Sequence, residues 1–260
     1  MRKYIAGISK MTYGIVLPAL IIFMVLNADT SLAQSAGGSS GTNLLFILDA
    51  SGSMAGQIDG KAKMDVAKGV MTDLIDGLPD SVNVGLEVYG HRSKGDCDDI
   101  ETMVEVGAIN KQALIDKINS IQPKGKTPIA KSLQTAGEKL SASEDETTII
   151  LVSDGEETCE GNACTYGKDL REKGINVKVH VVGFDVGQKE KEQLSCIAEA
   201  GGGRYYTANN ADQLKQALTE VKEEVVAQAE EAPRSRPGCG VAHLRVPRRS
   251  EPGEACRVCS

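Results

Sequence analysis

The chain has 260 residues, 36 acidic and 29 basic, for a net charge of −7. Nucleic-acid surfaces recruit basic patches, so this balance argues against nucleic acid as the main partner; with no Trp and 3% aromatic residues, platforms for stacking bases are missing as well. The length suits one domain of about 180 to 200 residues plus ends, and seven cysteines are many for a reducing compartment.

The N-terminus reads as a secretory signal peptide over residues 1–33. Met1-Arg2-Lys3 and Lys10 supply positive charge, Ile15 to Leu26 is apolar apart from Pro18, and Ser31-Leu32-Ala33 puts small residues before a cut ahead of Gln34. The apolar core is about twelve residues, short of the ~20 that a membrane span needs. Cleavage is therefore favoured over a retained anchor, with no stable membrane span afterwards and a periplasmic or secreted product. Residues 34–42, rich in Gly and Ser, read as a linker.

Leu44 to Leu48 is an unbroken apolar run that stops at Asp49, the pattern of a buried parallel strand opening into a loop. Lys61 to Leu78 carries apolar residues at helical spacing, and Gly77 and Pro79 end it. Val82 to Tyr89 alternates as a strand and enters a polar loop, Gly90 to Asp99. Ile100 to Val106 is expected to be a short edge strand and Asn110 to Ile121 a helix. Pro128 suits a first helical position, and that helix runs to about Leu140. Thr147 to Ser153 is a strand, followed by an acidic loop bounded by Cys159 and Cys164. Tyr166 to Lys173 is helical, capped by Gly174. Val177 to Val182 is a strand and Lys189 to Ala200 a helix stopped by Gly201-Gly202-Gly203. Arg204 to Thr207 is a last strand and Ala211 to about Ala227 a closing helix. Strands alternating with helices predict an α/β fold, a doubly wound, mostly parallel sheet flanked by helices in three layers. Ligands of such sheets bind outside the carboxyl ends of the strands.

Three loops fall at that edge. The first carries Asp49-x-Ser51-x-Ser53, a carboxylate and two hydroxyls at alternating positions. Hard oxygen ligands of this kind suit Mg²⁺. The second, Pro123 to Pro128, places Thr127 at a helix start, and the third ends a strand at Ser153-Asp154-Gly155. Other chemistries fit less well. Asp49 and Ser51 could be a helix N-cap cluster, but the other two loops then go unexplained. Gly125-Lys126-Thr127 looks like the end of a P-loop, yet the first glycine of that motif is Ser120 here. Asp49 lacks the neighbouring acid expected of a phosphotransferase aspartate. Ser51 lies outside a G-x-S-x-G elbow and has no His and acid partners in hydrolase order.

The order and spacing of the three loops resemble the von Willebrand factor A domain and its metal-ion-dependent adhesion site, over roughly Asn43 to Val226, with the domain as a whole set at 43–228. The resemblance implies that Ser51 and Ser53 touch the ion and that Thr127 does so directly or through water. It implies that Asp49 and Asp154 hold coordinated waters and orient the hydroxyls. The ion would be Mg²⁺, with Mn²⁺ or Ca²⁺ as alternatives. An open coordination position would take a carboxylate from a partner protein. Glu87, Asp96, Asp98, Asp99, Glu156, Glu157 and Glu160 are expected to make the surroundings acidic, so a single carboxylate on a neutral or basic face fits best. The role expected on this reading is that of a binding module rather than an enzyme. The alternatives are a structural envelope protein whose metal only ties loops together, and a subunit like the A domain of magnesium chelatases, which lacks support because no ATPase motif is present.

Cys97, Cys159, Cys164 and Cys196 allow three pairings. Cys97 and Cys159 lie on loops at one sheet edge and are expected to pair, leaving Cys164 for Cys196; the rival is a local Cys159–Cys164 bridge. Zinc is disfavoured, since the cysteines lack C-x-x-C spacing and neither His91 nor His180 is placed to complete a site. Residues 229–260 show no helical or strand period and read as a disordered tail. Cys239, His243, Cys256 and Cys259 within it are too irregularly spaced for a convincing metal set.

Overall fold

A computed structural model describes residues 42–143 and 145–231. Its centre is the apolar run, β1 (Thr42–Asp49), buried along nearly its whole length. On one side β1 pairs in parallel with β4 (Val82–Tyr89), and on the other with β6 (Thr147–Ser153). β7 (Val177–Phe184) and β8 (Gly202–Ala208) extend the parallel set, and β5 (Ile100–Ala108) adds the antiparallel edge, giving the order β5-β4-β1-β6-β7-β8.

Alternate residues of β1 feed two cores. Leu44, Phe46 and Leu48 pack with α1 (Lys63–Asp76), α2 (Lys111–Ser120) and α6 (Ala211–Glu231). Leu45 and Ile47 pack with α3 (Ile129–Leu140), α4 (Ala163–Glu172) and α5 (Gln188–Ala200). A strand buried on both faces must be apolar throughout, which is why β1 does not alternate. Each such side chain contributes about 1.5–3 kcal/mol through burial, and Phe46→Ala would cost about 3–5 kcal/mol.

The doubly wound, mostly parallel α/β fold is as the sequence predicts, with local differences. The first helix starts at Lys63 rather than Lys61, because Gln57–Ile58 (β2) and Lys61–Ala62 (β3) form a small hairpin. Its turn, Asp59-Gly60, has both φ values positive, at 52° and 77°, as a type I′ turn requires. β5 is longer than expected, at nine residues, and slips register against β4 around Gly85. There a Cβ on Gly85 would lie 2.7 Å from the Val106 side chain. α4 begins three residues early because the Asn162 side chain accepts from the Thr165 amide. Gly202 and Gly203 belong to β8 rather than to a stop.

Thr42 already stands in β1, and α6 runs on to Glu231. The expected signal peptide, the rest of the expected linker and the expected disordered tail beyond residue 231 lie outside the described residues. Among the described residues, no helix is long and apolar enough to cross a membrane. Both expected disulfides are formed. Cys97–Cys159 has Cα atoms 5.8 Å apart and Cys164–Cys196 has them 5.4 Å apart, so the local Cys159–Cys164 bridge is excluded.

Candidate metal centre

β1, β4 and β6 run in parallel, so their carboxyl ends bring three loops together. Backbone hydrogen bonds weave the first loop to the second. The Ala50 amide donates to the Tyr89 carbonyl at 2.9 Å, Lys124 N to Ala50 O at 2.9 Å, and Gly52 N to Gly125 O at 3.0 Å. Gly90 is the hinge of this weave. Its carbonyl accepts from Gly125 N at 2.7 Å, its φ is +71°, and a Cβ there would lie 3.1 Å from Ser51 Cα and run into the Lys126 carbonyl. Only glycine suits both the conformation and the space.

Four of the five expected side chains form one hydrogen-bonded set. Asp49 Oδ1 accepts from the Ser51 amide at 2.7 Å, and Asp49 Oδ2 accepts from Ser153 Oγ at 2.6 Å. Both carboxylate oxygens are thus held by hydrogen bonds. Ser51 Oγ and Ser53 Oγ are 2.9 Å apart, and Ser53 Oγ donates to Asp154 Oδ1 at 2.6 Å. Asp49 and Ser51 are buried, as is Asp154. Thr127 is also buried, and its loop pairs with Ser51 through the Ser51–Gly125 bridge. Its amide donates to Thr158 Oγ1 at 2.8 Å, and its carbonyl accepts from Thr158 N at 3.1 Å. Thr158 therefore ties the second loop to the third.

The electrostatics of this set are unbalanced. Burial pushes the Asp49 carboxyl up, and the nearby Asp154 charge adds to it, against hydrogen bonds from Ser153 and Ser51; it reaches about 6. The wholly buried Tyr89 hydroxyl lies against the same acid without a well-formed hydrogen bond and is pushed up in turn, first by burial and then by Asp49. Lys63 reaches the set from the side. Lys63 Nζ lies 3.1 Å from Asp154 Oδ2 and 2.9 Å from Asp185 Oδ2. Burial pulls this lysine down, but Asp185 and Asp154 together hold it above its usual range.

The side chains of this set offer oxygens, in small hydroxyls and two acids, of which Asp154 raises the Asp49 carboxyl. That set fits a hard divalent cation. Among the described residues no group of three or more His, Cys, Asp or Glu side chains is placed for a metal, so any ion here must rely on the hydroxyls.

The rim is less acidic in effect than its composition suggests. Lys189 pairs with Glu156, and Lys131 with Asp98. Glu157 is turned inward, accepting from the Ala130 amide at the start of α3 at 2.7 Å, where a carboxylate also meets the positive end of the helix. Asp99 is buried and accepts from Arg92 Nε and the amides of Arg92 and Ser93. Burial alone would raise this acid, but those bonds hold it below its usual range. Glu87 corrects the expectation outright. It is 1% exposed and points at Ser132 of α3, so it is no part of the surface around the site.

Residues 43–220 match the family model of the von Willebrand factor type A domain. The chain belongs to that family. Its VWA domain is 35% identical to the uncharacterized protein YwmC of Bacillus subtilis (strain 168) over 187 residues, which are 68% of this chain and 82% of that one. Among solved structures it resembles the pilus adhesin SpaC of Lactobacillus rhamnosus GG with a TM-score of 0.61 and 17% identity, over 73% of this chain and 31% of that one. It also resembles the vWF domain of the type V pili tip protein Mfa5 of Porphyromonas gingivalis, with a TM-score of 0.58 and 13% identity, over 73% and 96%. The VWA domain spans about a third of SpaC, and at these identities the structural likeness speaks to fold.

Ser153, Lys63, Asp185, Thr158 and Tyr89 escaped the sequence reading of the site. Ser153 adjoins Asp154 in the third loop and could have been flagged by that position. Lys63 meets Asp154 and Asp185 only through tertiary packing, 91 and 122 residues away in sequence.

Proposed function

We propose that this VWA domain is an exported protein-binding module. It holds a divalent cation, Mg²⁺ foremost, with Asp49, Ser51, Ser53, Thr127 and Asp154, and grips a carboxylate of a partner protein through it. The observation that carries this reading is the pair of buried acids linked through the Ser51 amide and the Ser51 and Ser53 hydroxyls. Lys63 neutralises only one oxygen of Asp154, and Asp49 is driven up to about 6 with no cation of its own. A bound ion would supply the missing positive charge and a coordination position for an oxygen ligand.

The protein's own residues have separable tasks in this scheme. Ser51 and Ser53 present hydroxyl oxygens. Ser153 and the Ser51 amide fix the Asp49 carboxylate, so that it need not reorganise when a ligand arrives. Lys63 holds Asp154 back by its outer oxygen. The woven backbone around Gly90 and the Cys97–Cys159 bridge keep the three loops in register. With much of the rim acid paired, a partner offering one carboxylate from a neutral or basic face suits the surface. Two disulfides favour an oxidising compartment. The likeness to pilus adhesin and tip-protein domains agrees with a role outside the cytoplasm.

Capture on immobilised wild-type chain tests the reading, run in Mg²⁺, in chelator, and with Ser51→Ala in Mg²⁺. A protein retained by the wild type in Mg²⁺ alone supports it. The same proteins retained in all three lanes would refute it.

A further inference from the structure

α1 opens on a cation where helix physics disfavours one. Lys63 is its first residue, at the end where the helix dipole is positive and an acid is the better neighbour. Its side chain is nonetheless held in, at 12% exposure. The Lys63 amide donates to the Gly56 carbonyl at 2.8 Å, and its Cε would lie 3.7 Å from a Cβ on Gly56, so the stem runs beside the loop that carries Ser53. Nζ then bridges two acids from different strands. Asp154 follows β6 and lies 3.1 Å away, and Asp185 follows β7 and lies 2.9 Å away. The two seats are unequal. The Asp154 side chain is wholly buried, with its other oxygen on Ser53, whereas Asp185 is 44% exposed. Asp185 has a φ of +54° and is pinned by its amide to the Ala208 carbonyl at 2.7 Å, a left-handed position that Asp and Asn tolerate better than most side chains.

We propose that Lys63 is the built-in counter-charge of the three loops and sets their affinity for a divalent cation, competing for Asp154 while Asp185 draws it off. This rests on the metal reading given above. An ammonium on a fixed stem balances part of the Asp154 charge, but it has donors only and offers no position for a partner's carboxylate. Two cations drawn to one buried acid repel each other where screening by water is weak. The second seat limits that repulsion, because Lys63 keeps a partner on Asp185 when Asp154 turns to the ion. The lysine thus holds the affinity below what the acids and hydroxyls alone would give, and Asp185 decides by how much.

The test titrates Mg²⁺ and Mn²⁺ by calorimetry into the metal-free full chain, as wild type, Lys63→Met, Asp185→Asn and the double variant, with melting in chelator alongside. Lys63→Met keeps the stem beside Gly56 and removes the charge. It should tighten binding at least about tenfold and lower the melting temperature in chelator, since Asp154 loses its cation. Asp185→Asn suits the same backbone conformation and leaves Lys63 on Asp154 alone, so it should weaken binding several-fold. In the Lys63→Met background the same change should lose most of its effect. A lysine that only braced the loops would instead give weaker binding in both single variants. Binding by Lys63→Met equal to or weaker than wild type would overturn the proposal and leave the metal reading standing. No heat of binding in either chain would overturn both. If Lys63→Met melts too early to titrate, Asp185→Asn decides, and binding there as tight as wild type or tighter overturns the proposal.

Discussion

Asp49→Asn should stabilise the metal-free protein at neutral pH, although it removes a group placed in the site. In the folded chain this carboxyl rises from 3.8 to about 6, burial being the main cause. The native state therefore holds a proton that the unfolded state has released, and stability falls as pH climbs through that window and levels off above about 6. At about 1.4 kcal/mol per pH unit, the loss is about 3 kcal/mol. Asparagine escapes it but bonds less strongly to Ser153 Oγ and the Ser51 amide, which gives back about 1–2 kcal/mol. The assay is urea unfolding in chelator, wild type beside variant, at about pH 4 and about pH 7.5. The stability difference should move by about 2.4 kcal/mol in the variant's favour over that range, part of the effect being already lost at pH 4. Other titrating groups, Glu87 among them, are common to both chains and cancel in the difference. Added Mg²⁺ should reverse the ranking at the higher pH, because only the wild type gains the binding energy, about 2.7 kcal/mol at a hundred times the dissociation constant. A stability difference independent of pH in chelator would refute the reasoning.

Glu87, raised from 4.5 to about 7 chiefly by burial, should make stability fall by up to about 3 kcal/mol between those pH values. Ser132, Lys139, Thr102 and Glu105 are the polar and charged groups facing it, and Glu87→Gln should flatten that part of the pH profile in urea titrations. Gly90→Ala forces a side chain into a left-handed position against Ser51 and Lys126, and should cost at least about 2 kcal/mol in denaturant melts while weakening metal binding. Opening either disulfide should lower stability by about 4 kcal/mol on the chain-entropy account, given separations of 62 and 32 residues. Cys97→Ser with Cys159→Ser should also loosen the loops at the site, whereas the Cys164 and Cys196 pair should leave them ordered, as read by amide exchange around residues 90–99.

The fold was legible because its strands are chemically plain. β1 and β6 carry nearly unbroken apolar runs and β4 alternates, and β4 and β6 begin and end where their composition changes. The boundaries that slipped depend on groups that sequence period does not register. Asn162 starts α4 early by a single side-chain cap, and the Asp59-Gly60 turn diverts residues that otherwise continue the helical pattern of α1. The loop acids and hydroxyls of the candidate site were readable because each ends a strand or starts a helix. Their supports were not. Lys63 reaches Asp154 from another element, and whether Glu87 faces the rim or the core depends on which side of β4 meets α3. Both facts are decided by packing between segments far apart in the chain.

The central claim is that these three loops hold a divalent ion, and isothermal titration of the metal-free full chain with Mg²⁺ and Mn²⁺ tests it most directly, beside Ser51→Ala and Ser53→Ala. The account predicts one ion per wild-type chain, with binding lost or weakened at least about tenfold in both variants while their melting in chelator stays near wild type. No heat of binding with either ion, or equal binding in the variants, would contradict it.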